Sequence, residues 1–101
     1  MKNGGNKGVG IILLIFFSFL FSCDFSPKER DKLREVYASY FFFWGFFHNY
    51  NGHYDQAISD FNKSIEINPS YAGAYNNRGL AYCNKGQYDQ AISDYNKALE
   101  I

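Results

Sequence analysis

Cysteine and proline are scarce in this chain, with two of each among 101 residues. Two thiols, Cys23 and Cys83, cannot build the multiply cross-linked scaffold that stabilises many small exported domains. Two prolines, Pro27 and Pro69, leave long stretches free of the residue that breaks helices. Neither charge sign is in excess, because ten Lys and Arg balance ten Asp and Glu. Without a basic surplus to neutralise phosphates, nucleic acid is not an expected partner. The N-terminal uncharged run, residues 8–23, falls short of the ~18–20 apolar residues that a membrane-spanning helix needs. Sets of catalytic or metal-binding residues are missing too. His48 and His53 have no carboxylate or thiol at ligand spacing, and Cys83 has no histidine at a recognisable spacing. Asp60 and Asp94 recur on what reads as the solvated face of a helix, which is not the arrangement of an acid/base pair. Gly4, Gly5 and Gly8 sit beside the apolar run and form no phosphate loop. No catalytic residue, metal or cofactor is expected, and the chain does not read as an enzyme.

Aromatic residues, by contrast, are abundant at 21%. Four of them, Phe16, Phe17, Phe19 and Phe21, belong to an N-terminal pattern: Lys2 and Lys7, then the apolar core IILLIFFSFL over residues 11–20. A short basic stretch followed by 7–15 apolar residues is the pattern of an export signal. Its end, Leu20-Phe21-Ser22-Cys23, resembles the lipobox of bacterial lipoproteins, with Phe21 at a position that usually holds a small residue. The resemblance implies lipidation of Cys23 and cleavage before it, and Asp24 resembles a signal for retention in the inner membrane. Stable anchoring takes two or more acyl chains, where one is marginal. Loss of residues 1–22 would remove Lys2 and Lys7 and leave a net charge of about −2.

The remainder repeats itself. YDQAISD occupies residues 54–60 and again 88–94, an offset of 34. At the same offset Ala38 meets Ala72, Gly45 meets Gly79, Gly52 meets Gly86, Asn62-Lys63 meets Asn96-Lys97 and Glu66-Ile67 meets Glu100-Ile101. Ala57, Phe61, Ser64 and Ile65 fall at i, i+4, i+7 and i+8, as do Ala91, Tyr95, Ala98 and Leu99, which is one face of a helix. Gly52 and Gly86 suit left-handed helix ends. Asp55 and Asp89 suit helix N-termini, and Asn68 before Pro69 is pushed out of the helical region. Ser26-Pro27-Lys28-Glu29 reads as a capping box opening one helix from about Pro27 to Asn49. Its lead-in, residues 28–35, alternates charge sign and reads as solvated.

A period of 34 is that of helix–turn–helix repeats. Tyr75, Gly79, Ala81, Tyr82, Gly86, Tyr88, Ala91, Tyr95 and Ala98 resemble the signature of the tetratricopeptide repeat. Gly45, Gly52, Tyr54, Ala57, Phe61 and Pro69 hold the same places one period earlier. Trp44 and Arg78 stand where Leu is common in that family, His48 where Tyr is usual, Phe47 where a small residue is usual, and Ser64 where a second Ala is usual.

Nine of the residues 37–50 are aromatic: Tyr37, Tyr40, Phe41, Phe42, Phe43, Trp44, Phe46, Phe47 and Tyr50. One helix face buries about half of such a set, and a helix apolar all round is covered on every side or meets lipid. The resemblance implies a concave groove lined by Phe42, Phe43, Phe46, Asn49 and Tyr50, then by Asn76, Asn77, Leu80, Cys83 and Asn84. It has no Lys or Arg, so clamping of a terminal carboxylate is disfavoured, and Asn side chains suit a peptide backbone. Three coverings of the cluster are consistent with the sequence: a partner protein in the groove, the membrane surface, or a second copy or further repeats.

The expected fold is all-α, a helix-turn-helix solenoid of two tetratricopeptide repeats preceded by an N-terminal signal/anchor segment. The expected divisions are 1–22 (signal), 23–37 (anchor Cys23 and lead-in), 38–71 (first repeat) and 72–101 (second repeat). The last unit stops at its second helix, so either the chain is a fragment or it self-associates, because repeat arrays usually need three units. The expected function is a scaffold or adaptor in the cell envelope, lipid-anchored on the periplasmic or extracellular side, with the inner membrane slightly favoured. The alternative is the N-terminal part of a larger repeat-containing enzyme or secretion or envelope-assembly component.

Overall fold

The structure, a computed structural model, describes residues 26–101. The expected signal segment 1–22 and the expected lipidation site Cys23 lie outside the described residues. Four helices follow one another: α1 (Pro27–Tyr50), α2 (Tyr54–Ile67), α3 (Ala72–Asn84) and α4 (Tyr88–Glu100). No strand occurs among the described residues. The chain divides into two compact units, residues 1–34 and 35–101, with the boundary inside α1.

In the first unit the capping box forms as the sequence requires. The Ser26 amide donates to Glu29 Oε2 at 3.1 Å, and the Glu29 amide donates to Ser26 Oγ at 3.2 Å. Two of the unpaired donors at the helix start are thereby satisfied reciprocally. The charged lead-in residues are largely exposed.

In the second unit the repeat signature becomes packing. Ala38, Ala57, Phe61, Ala74 and Ala81 are fully buried, joined by Ala91 and Tyr75. Small residues at these positions let helix axes approach, and Phe61 fills the space between them. Phe42, Tyr54, Ile58, Ile65 and Tyr71 close around that centre. Gly45 faces the Phe61 ring and Gly79 faces the Tyr95 ring, each too close for a Cβ. One device thus serves both repeats, one period apart.

The turns repeat as well. Gly52 and Gly86 have φ of 79° and 81°, a conformation that penalises any Cβ. Beyond them the His53 amide donates to the His48 carbonyl at 2.8 Å, and the Gln87 amide donates to the Tyr82 carbonyl at 2.9 Å. These bonds close the helix end in the manner of a Schellman motif. Helix α2 stops at Asn68, which is extended (φ −131°, ψ 92°) ahead of Pro69. Ser64, at the place of a usual alanine, is explained by its hydroxyl. Fully buried, it donates to the Ala38 carbonyl at 2.8 Å and ties α2 to α1.

Candidate functional site

Helices α1 and α3 lie side by side and leave a shallow crevice between them. Phe46, Asn49 and Tyr50 line it from α1, and Asn77, Leu80 and Asn84 line it from α3, around a volume of about 130 Å³. That space fits a side chain rather than a small molecule. Phe46, Tyr50 and Leu80 expose 52%, 84% and 45% of their surface, so its apolar wall is uncovered. No Lys, Arg, Asp or Glu lines it.

Asn49 forms the floor. It is 9% exposed, and its Nδ2 donates to the Asn77 carbonyl at 3.5 Å, the long limit of a hydrogen bond. Its Oδ1 is buried without a partner. Exchanging the amide's O and N would set two oxygens face to face, so this orientation is the favourable one. Asn77 instead turns along its own helix, donating from Nδ2 to the Gly73 carbonyl at 2.9 Å.

Six of the ten expected groove residues therefore meet in one crevice, and four stand elsewhere. Phe42 packs inward, stacked on Tyr71 at 5.0 Å and tilted against Phe61 at 5.9 Å. Phe43 lies on the outer side of α1, edge-on to Trp44 at 5.8 Å. The 100° rotation per helical residue separates these two neighbours from each other, while Phe46, four residues after Phe42 and three after Phe43, lies between their two directions on the side that meets α3. Asn76 is exposed outside the crevice, and Cys83 is a partly buried free thiol beside it.

Asp60 and Asp94 correct the sequence reading. Neither lies on a solvated face. Asp94 is 5% exposed and accepts two hydrogen bonds from Arg78, from Nε at 2.8 Å and from Nη2 at 2.7 Å. Arg78 also donates to Asn62 Oδ1 at 2.8 Å and lies over the rings of Tyr75 and Tyr82. The hydrogen bond to Asp94 raises the pKa of Arg78, against the opposing effect of burial. One period earlier Trp44 replaces this arginine, and the partner comes from the next turn of α1: His48 Nδ1 lies 2.7 Å from Asp60 Oδ2. Each second helix is thus tied to its first helix through the same aspartate. The signal for this was the departure of Trp44 and Arg78 from the family's usual leucine, but the pairing partners lie 12 and 16 residues apart and only the folded hairpin joins them. Lys85 pairs with Asp55 across the two turns.

Among the described residues, no helix is long and apolar enough to cross a membrane, and no group of three His, Cys, Asp or Glu could hold a metal ion.

A family model described as "Tetratricopeptide repeat" matches residues 72–101, and another described as "TPR repeat" matches residues 48–86. No curated protein matches the chain. Among solved structures, the chain is similar to one titled "Crystal structure of MamA protein", with 37% identity and a TM-score of 0.61 over 72% of this chain and 40% of that one. A second, "Crystal structure of MamA", gives 37% identity and a TM-score of 0.62 over 72% and 43%. The chain spans less than half the length of these structures. With the 34-residue period, the paired helices, the glycine turns and both family matches in agreement, the chain belongs to the tetratricopeptide-repeat family over residues 48–101.

Proposed function

We propose that this protein is a membrane-anchored scaffold that holds a segment of a protein partner in the crevice between α1 and α3. Tetratricopeptide repeats serve protein–protein interaction, and the same broad role is assigned to this chain. The finer reading rests on one observation: Phe46, Tyr50 and Leu80 present an uncovered apolar wall, with Asn77 and Asn84 as the polar groups beside it. Exposed aromatic surface of this kind marks interaction sites. The absence of charge in the lining favours an uncharged, apolar segment over an acidic terminus. The site offers binding groups and no reacting ones, so the role is that of an adaptor.

The test is selection of binders from a dodecapeptide display library on the immobilised full chain, followed by titration of the selected peptides. Phe46→Ala combined with Leu80→Ala should weaken them at least tenfold while leaving helicity unchanged. Peptides that bind this variant as well as the parent would place the site elsewhere.

Anchoring is assigned to Cys23, on the resemblance of residues 20–23 to a lipobox. It would hold the repeats against a bacterial membrane on the periplasmic or extracellular side. Mass spectrometry of the mature N-terminus decides it: diacylglyceryl-Cys23 is the expected species, and an unmodified terminus elsewhere removes the anchor.

A further inference from the structure

The outer side of α1 carries a second apolar face, turned away from the core and bordering the crevice wall at Phe46 and Tyr50. Val36, Tyr40, Phe43, Trp44 and Phe47 recur at i, i+4, i+7, i+8 and i+11, one stripe of a helix. All five are uncovered, with exposures of 59%, 56%, 61%, 38% and 47%. The rings pack edge-to-face on one another, with Trp44 between Tyr40 at 6.4 Å, Phe43 at 5.8 Å and Phe47 at 5.6 Å. No charged residue interrupts the five positions.

The second repeat shows what this side of a first helix ordinarily does. One period on, Tyr40 and Phe47 become Ala74 and Ala81, which are fully buried where α3 docks on the preceding hairpin. Their small size is what lets the helices approach. With Tyr and Phe at those places, the outer side of α1 cannot accept another hairpin at the same spacing. The face is therefore not a vacant seat for a further repeat, nor for the α4 side of a second copy stacked head to tail.

We propose that this stripe lies on the surface of a lipid bilayer. Two observations favour lipid over a second copy. The stripe begins 13 residues after Cys23, so the N-terminal region that would be held at the membrane is joined to it through only the short charged lead-in. Its composition is also that of an interfacial face: Trp44 and Tyr40 combine an apolar body with one polar group, and such residues gather at the head-group level. A helix lying in that plane sinks its apolar side about 5–10 Å into the boundary. The inference uses the anchored reading only to bring α1 to the membrane. It adds an orientation: α1 lies flat on the stripe, with the crevice beside it opening toward α3.

Trp44 is the single tryptophan, so its fluorescence reports on this face alone. The full chain is reconstituted into vesicles of phosphatidylcholine and phosphatidylglycerol, with a fraction of the lipid brominated either near the head of its acyl chains or near their ends. The expected result is strong quenching of Trp44 by the shallow bromines and weak quenching by the deep ones. Tyr40→Ser with Phe47→Ser should remove most of that quenching. Both side chains face solvent, so helicity by circular dichroism should hold. Phe46→Ala, in the crevice, should leave the quenching intact. A chain that floats with the vesicles while Trp44 stays unquenched overturns the inference and leaves the anchor standing. A chain that neither floats nor quenches overturns both. Emission that shifts to the blue with protein concentration in the absence of brominated-lipid quenching assigns the face to a second copy, and also overturns it.

Discussion

A Cβ added to Gly45 would lie 2.6 Å from the ring of Phe61. That contact decides between two opposed effects. Alanine is favoured over glycine within a helix by about 1 kcal/mol, yet Phe61 is fully buried and has nowhere to move. Overpacking of this kind costs about 1–3 kcal/mol. Gly45→Ala should therefore destabilise the fold, seen as a lower midpoint in urea. Gly79→Ala should behave alike, since its Cβ would meet Tyr95 at 2.9 Å and the Ala91 carbonyl at 3.2 Å.

Such contacts show which parts of the molecule were legible in the sequence. The span of α1, the capping box at Ser26, the glycine turns and the stop at Asn68 rest on local chemistry or on the 34-residue offset, and both can be read from a string of residues. The roles of Phe42, Phe43 and Phe46 could not be separated, because at i, i+1 and i+4 they lie within about 100° of one another on the helix, and only the packing of α2 and α3 assigns them to core, outer stripe and crevice. Asp60 and Asp94 were misread for a related reason. An aspartate on a helix looks solvated until a hydrogen-bonding side chain from another helix is placed against it.

The paired aspartates should differ in cost. Removing the Asp94 carboxylate leaves Arg78, whose side chain is 20% exposed, without its forked partner. An uncompensated, largely buried charge costs several kcal/mol in the interior, and partial exposure reduces this to about 2 kcal/mol. Asp60→Ala removes a single hydrogen bond, the one shared with His48, and should cost less, about 1 kcal/mol. Chemical denaturation of Asp94→Ala and Asp60→Ala side by side measures the difference. Equal losses would mean that the arginine contributes no more than the histidine.

Asn49 should be a position where the protein gives up stability. Its unpaired Oδ1 costs about 1–3 kcal/mol, and the long bond from Nδ2 to Asn77 returns little. The equivalent residue of the second repeat is Cys83. Asn49→Cys should raise stability by about 1 kcal/mol, a thermal midpoint higher by several degrees for a domain of this size. A lower midpoint would show that Asn49 supports the α1–α3 contact more than its geometry indicates.

The equivalent positions 47 and 81 should respond very unequally to exchanged residues. Ala81 is fully buried against the first hairpin, whereas Phe47, its counterpart one period earlier, keeps 47% of its surface exposed. Placing the first repeat's residue in the second, Ala81→Phe, forces a ring into the closest approach of α3 to the preceding helices and should cost about 3 kcal/mol or more. Placing the second repeat's residue in the first, Phe47→Ala, removes a ring with no neighbouring helix over it and should cost less than about 1 kcal/mol. Thermal melting of both variants measures the contrast. A severe loss from Phe47→Ala would mean that the outer side of α1 is packed in solution, and would point to a copy or a segment of the chain seated there.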